Sequence, residues 1–131
     1  MKKIEINNFK AFNAVLSLTL EATKKNLLLY GENGSGKSSI FEAIKLIFYN
    51  DRLLKNIIST GANEEQKESE IEDFYNNYKH KAIASPIDIK INNSDFKSFN
   101  ISDYHCYMLS HIDISHMSHK IEDGKIINID I

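Results

Sequence analysis

The sequence predicts an α/β fold built round a phosphate-binding loop, and three adjoining stretches predict it. Asn26 to Tyr30 is an apolar run suited to a buried parallel strand. It breaks into Gly31-Glu32-Asn33-Gly34-Ser35-Gly36-Lys37-Ser38-Ser39, which has the form G-x-x-x-x-G-K-[ST]. Straight after it, Ile40, Phe41, Ala43, Ile44, Ile47 and Phe48 recur at helical spacing. Strand, glycine-rich loop and helix in that order form one unit of an α/β sheet.

The loop's composition explains its chemistry. Three of the five glycines in the chain lie in it, at points where a missing Cβ lets backbone N–H groups turn inward round an anion. Asn33, Gly34, Ser35, Gly36, Lys37, Ser38 and Ser39 are therefore the candidate phosphate-binding residues. Lys37 is expected to reach the β- and γ-phosphates, and Ser38 to supply a hydroxyl to Mg²⁺. The helix that follows directs its positive end at the same place.

The totals restrict the setting. With 131 residues, 42% of them hydrophobic, the chain is one domain or part of one, with enough apolar material for a core. No apolar run approaches a membrane span, and Met1-Lys2-Lys3-Ile4-Glu5 alternates like a strand rather than a leader, so a cytoplasmic protein without membrane contact is expected. Cys106 is the single cysteine, which excludes an intrachain disulfide and agrees with a reducing compartment. A net charge of −2 excludes a generally basic surface. Any contact with nucleic acid must then come from local lysines or other chains.

Taken in order, Ile4 and Ile6 alternate with polar residues, and Leu16, Leu18 and Leu20 do the same, which predicts two strands joined by a short turn. Ala22 to Lys25 is a polar break before the strand of the phosphate loop. The first helix is expected to give way at Asn50-Asp51, with Arg52 to Ser59 a second helical stretch or turn ended by Gly61. Residues 63 to 81 are charged, with Ile71, Phe74, Tyr75 and Tyr78 at helical spacing, and predict an amphipathic surface helix. Pro86 marks its end. Ile87, Ile89 and Ile91 predict a strand ending at an Asn92-Asn93 turn, with Phe96 to Ile101 as its hairpin partner. Tyr104 to Leu109 is a further strand candidate, Ser110 to Lys120 is polar and histidine-rich, and Glu122 to Lys125 is a turn leading to the run Ile126 to Ile131. The chain thus divides into residues 1–60 with strands, loop and helix, a charged helical insertion at 61–85, and strands with a histidine-rich loop at 86–131.

The loop resembles the Walker A form of the ABC-type ATPases of the SMC/RecF class, within the AAA family of P-loop ATPases. Those proteins also begin Ile-x-Ile-x-Asn-Phe-[Lys/Arg]-x-Phe, which Ile4, Ile6, Asn8, Phe9, Lys10 and Phe12 match. The resemblance covers roughly residues 2 to 48 and includes the helix continuation Ser39-Ile40-Phe41-Glu42-Ala43-Ile44. It implies a P-loop NTPase fold, the N-terminal lobe of an ABC ATPase head. Antiparallel N-terminal strands would lie beside a partial parallel core with flanking helices. It also implies ATP and Mg²⁺ as cofactors, with Lys10 near the nucleotide. The partners implied are a C-terminal ATPase lobe, a second ATPase head, and DNA with a nuclease or effector through the full-length protein. The settings in which such heads occur are DNA repair, chromosome maintenance and anti-phage defence.

Two later stretches bear on catalysis. By the resemblance, Tyr107 to Ile114 corresponds to the family's glutamine-bearing loop, but His111 stands where glutamine is expected; the role that carries over is metal-proximal or water-positioning. An acidic pair after a second buried strand is missing, since Ile126-Ile127-Asn128-Ile129-Asp130 has a polar residue inside the run and no following glutamate. Neither a serine-glycine-glycine signature nor a heptad run is found. The expectation is an ATP-binding half of a head, with negligible hydrolysis by itself. The alternative is a non-catalytic scaffold or partner-binding module with a structural nucleotide site. A small metabolite kinase is disfavoured because Arg52 is the only arginine and cannot form a lid clamp. His105, Cys106, His111, His116 and His119 do not fall into two close ligand pairs, so no zinc finger is predicted.

Overall fold

The computed structural model describes residues 1–20, 30–32, 34–106, 121–122 and 125–126, the last four by their backbone alone. They fall into two compact units, Met1–Ile101 and Ser102–Ile131.

The first unit contains a four-stranded sheet, in the order β2-β1-β3-β4. Strand β1 (Lys3–Asn7) pairs antiparallel with β2 (Leu16–Thr19), opposing Ile4 to Leu18 and Ile6 to Leu16. Its other edge pairs antiparallel with β3 (Asp88–Ile91), opposing Ile4 to Ile91 and Ile6 to Ile89. The period-two pattern read from the sequence thus aims one row of isoleucines inward, and Ile6, Ile89 and Ile91 are wholly buried. All pairings among the described residues are antiparallel, as expected for the N-terminal group. The strand predicted at Asn26 to Tyr30, on which a parallel core would be built, lies outside the described residues except for Tyr30.

Helix α1 (Lys37–Ile57) supplies the other half of the core, burying Ile40, Ala43, Leu46 and Ile47 in the same cluster as the isoleucines. It corrects one expectation, because it runs through Asn50-Asp51 without a break for 21 residues. Asn50 and Asp51 are weak helix formers by only a few tenths of a kcal/mol each. Packing outweighs that: Leu53 joins the core beyond them, and the Asn50 Oδ1 accepts a hydrogen bond of 2.7 Å from the Tyr75 hydroxyl.

Helix α2 (Glu64–Asn76) begins with a reciprocal cap: the Asn63 side chain accepts from the Gln66 N–H at 2.8 Å, and the Gln66 side chain accepts from the Asn63 N–H at 3.0 Å. It is shorter than the segment predicted for it, and Tyr78 lies past its end. None of its residues is fully buried, which matches a charged surface helix; Phe74 and Tyr75, with Tyr78, pack partly buried on the core. Tyr78 stacks on Phe9 with ring centroids 5.5 Å apart, and Lys79 bridges to Phe9 through the backbone.

After Pro86 the chain forms β3 and turns at Asn92 and Asn93, both left-handed with φ of 50° and 68°, the geometry of a two-residue hairpin. Asn92 Oδ1 also accepts from the Lys2 and Lys3 N–H groups at 2.8 and 3.1 Å. The returning strand is shorter and earlier than Phe96 to Ile101: β4 is Ser94–Asp95, and Phe96–Ser98 is a 3₁₀ turn. The burial of Phe96 ends the strand, since its ring enters the core while Asp95 Oδ1 caps the Lys97 N–H at 2.8 Å.

In the second unit, β5 (Ile121–Glu122) pairs antiparallel with β6 (Lys125–Ile126), opposing Glu122 to Lys125 across the predicted turn. Tyr104 to Cys106, the described part of that strand candidate, is not in a strand. Among the described residues no helix is long and apolar enough to cross a membrane.

Candidate phosphate-binding site

The glycine loop and the first turn of α1 form a pocket of about 200 Å³ lined by Ala11, Gly34, Gly36, Lys37, Ser38 and Ser39. Gly34 and Gly36 adopt φ of 84° and 94°, conformations open to glycine at little cost. Gly36 is required for a second reason. A Cβ there would lie 2.9 Å from Cζ of Phe12, so a side chain at this position would have to push that ring aside.

Lys37 folds back across the loop. Its ammonium donates to the Gly31 carbonyl, to the Glu32 carbonyl at 2.7 Å and to the Ser35 hydroxyl at 3.3 Å. These three partners match the three donors of an ammonium group. The Ser35 N–H closes the turn onto the Glu32 carbonyl at 3.2 Å. No side chain caps α1 and no acidic residue occupies its first turn, which leaves the positive end of the helix unscreened beside the pocket.

A turn two dozen residues earlier in the chain contributes Ala11 to the pocket lining. Phe9 and Phe12 exchange backbone hydrogen bonds of 3.0 and 2.8 Å, bringing Ala11 and Phe12 over the loop. The Ala11 N–H then donates to the Ser39 Oγ at 3.3 Å. Ser39 is buried, so its hydroxyl engages the turn, while Ser38 is exposed at the pocket. Asn8 anchors the turn from below: its Nδ2 donates to the Ser85 carbonyl and, at 3.0 Å, to the Pro86 carbonyl.

Of the residues singled out from sequence, Gly34, Gly36, Lys37, Ser38 and Ser39 converge on this pocket, with Ser35 bonded to Lys37 beside it. Lys10 is directed elsewhere. Its ammonium lies 3.9 Å from a Glu42 carboxylate oxygen and 5.3 Å from the Tyr78 ring centroid, and the residue does not line the pocket. Asn33, His111, His116, His119 and Asp130 lie outside the described residues. Among the described residues no group of His, Cys, Asp and Glu is arranged to hold a metal. Burial pushes the Cys106 thiol above its ordinary value. Sequence reasoning did not assign Ala11 and Phe12 to the site. The only signal was the aromatic at the end of the N-terminal motif, because contact across two dozen residues has no local signature.

The residues present suit a phosphate group: two left-handed glycines, a lysine held at the mouth, an exposed hydroxyl and an uncapped helix start. The chain is thus an ATPase-type domain of the phosphate-loop class. A family described as AAA domain matches residues 3–130, and the chain belongs to that family. It is also similar to Septu protein PtuA of Bacillus mycoides (strain KBAB4), with 33% identity over 100 residues that cover 74% of this chain and 14% of that protein. The chain therefore spans a small part of the curated relative it matches. No solved structure matches it.

Proposed function

We propose that this domain binds ATP with Mg²⁺ and acts as the N-terminal part of an SMC/RecF-like ATPase head. The observation that supports this most directly is the attachment of the Lys37 ammonium to the Gly31 and Glu32 carbonyls beside a pocket lined by Gly34, Gly36 and the first residues of α1. These contacts already place the lysine at the mouth of the pocket, so meeting a phosphate there asks for little rearrangement. Lys37 would hold a phosphate oxygen by giving up its contact with the Ser35 hydroxyl, the longest of the three at 3.3 Å. Gly34, Gly36 and Ser38 would complete the phosphate contacts, with Asn33 assigned to them from the sequence alone, and the Ser38 hydroxyl would be the group to hold Mg²⁺.

In this reading the nucleotide holds two heads together, and hydrolysis awaits groups from a C-terminal lobe and a second head. DNA repair, chromosome maintenance and anti-phage defence are the settings open to such a head. The similarity to a Septu protein weighs toward defence. Residues 1–60 would carry the nucleotide site, 61–85 a surface insertion, and 86–131 the link to the rest of the head.

Thermal unfolding with and without ATP·Mg²⁺ tests the reading. The wild type is expected to gain several degrees at saturating nucleotide, and Lys37→Ala to gain none. A wild type unmoved by nucleotide would leave a scaffold with a merely structural loop.

A further inference from the structure

A second concavity, of about 370 Å³, lies between the later turns of α1 and the segment from Phe96 to Ile101, and it shares no residue with the phosphate-loop pocket. Its lining is mixed, and the apolar part comes from Ile47, Phe48, Phe96, Phe99 and Ile101. Its rim carries Arg52, Lys55 and Lys97 against one carboxylate, Asp51. A cationic rim is notable in a chain of net charge −2 whose only arginine is here.

The cations approach from two walls. Arg52 and Lys55 are three positions apart on α1, hence on one face, and Lys97 belongs to the 3₁₀ turn. Lys97 lies over Tyr75, 4.3 Å from its ring centroid, which fixes its position at the edge. Among the described residues, no ion pair holds Arg52 or Lys55, and both are exposed.

A ligand suited to this cleft combines a flat apolar body with negative charge. A bare inorganic anion would leave the apolar lining uncovered, and an aliphatic chain would leave the rim unmatched. The volume falls at the small end of the range for ligand pockets, room for about one ring system rather than an extended peptide. A nucleotide unit meets all three conditions, by aromatic and aliphatic contact with the base and by cations on its phosphate. Asp51 adds a preference, since a carboxylate accepts from the exocyclic amino group of cytosine and thymine has none.

We propose that this cleft is a nucleotide-unit site independent of the phosphate loop, with the base against its apolar lining at Phe48 and the phosphate on Arg52, Lys55 and Lys97. The unit is a free nucleotide or one member of a single strand. The inference does not rest on ATP binding at Lys37, so the test is made in the Lys37→Ala protein.

Fluorescence anisotropy with a short labelled oligodeoxycytidylate measures the strand, and competition by cytidine monophosphate measures the free nucleotide. Binding is expected to survive Lys37→Ala and to exceed that of oligodeoxythymidylate. Arg52→Ala with Lys55→Ala is expected to weaken it about tenfold and to lower the salt slope by somewhat less than about one, the share of a single phosphate. Displacement by the monophosphate at a comparable concentration identifies a free-nucleotide site, and failure to displace identifies a strand site. Because Arg52 and Lys55 are exposed, an unchanged circular dichroism spectrum is expected for the double variant, and Arg52→Lys is expected to retain most of the affinity. The proposal is overturned if neither probe binds, or if binding is indifferent to the Arg52 and Lys55 substitutions in a folded protein.

Discussion

The ring of Phe12 lies over Gly36 so closely that any Cβ at Gly36 would fall 2.9 Å from its Cζ. Twenty-four positions of sequence separate an aromatic of the first turn from the glycine that starts α1, and that glycine lines the phosphate pocket.

Gly36→Ala introduces two penalties, the left-handed φ of 94° and the collision with Phe12. We expect a loss of about 2–4 kcal/mol in unfolding free energy and loss of the ATP-induced thermal shift. Gly34→Ala has a φ of 84° but nothing within 4 Å, so about 1–2 kcal/mol is expected. Phe12→Ala combined with Gly36→Ala should recover part of the difference in a denaturation series. Equal costs for the two glycines would refute the steric account.

Ser39→Ala removes the acceptor of the Ala11 N–H in a buried place. The expected cost is about 1–2 kcal/mol, and the Ala11 amide should exchange faster with solvent even without nucleotide. Unchanged exchange at Ala11 would mean that the 3.3 Å contact does not hold the turn.

Asn8 is 3% exposed, has a φ of 51° and spends its amide on two carbonyls, while its Oδ1 has no partner among the described residues. Asn8→Ala should cost about 2–3 kcal/mol by chemical denaturation. Asn8→Asp should be worse at neutral pH and improve on acidification, because a carboxylate there would face the Ser85 and Pro86 carbonyls. A pH-independent Asn8→Asp deficit would argue against that environment.

The pH limits follow from two kinds of group. Glu70 is held below its ordinary value by the Ser59 side-chain hydroxyl and then by the Ser59 N–H. Its folded value is depressed, so its contribution is present above about pH 4.5 and is lost as pH falls through the folded value. Tyr75 is pushed above its usual value chiefly by burial, and Tyr78 likewise by burial and then by the Glu42 charge. Burial favours their neutral forms, so that stabilisation is full below about pH 10 and fades as pH climbs beyond it. Thermal melts across pH should show Tyr75→Phe flattening the alkaline decline. If the variant declines as the wild type does, Tyr75 is not the group responsible.

The cap of α2 gives a local test of folding. Asn63→Ala removes one half of the reciprocal bonds with Gln66 and should cost about 1 kcal/mol. Gln66→Ala should cost less, since the Asn63 side chain still accepts from the backbone.

Much of this was legible in the chain because its cause is local. The alternation of Ile4 with Ile6 and of Ile89 with Ile91 determines which face of a strand is apolar. The Asn92-Asn93 pair determines a left-handed turn, and the spacing from Gly31 to Ser38 determines a phosphate-binding loop before a helix. Tertiary structure decided where weak local preferences were outweighed. It carried α1 through Asn50 and Asp51 because the Tyr75 hydroxyl and the core reward the continued helix, and it ended β4 at Asp95 because Phe96 is buried. It turned the Lys10 ammonium to Glu42 and Tyr78, gave the pocket a wall at Ala11, and set the Phe12 ring against Gly36. Spacing alone determines a backbone's local shape, but which distant surfaces close a pocket depends on contacts that exist only once the sheet and helix have packed.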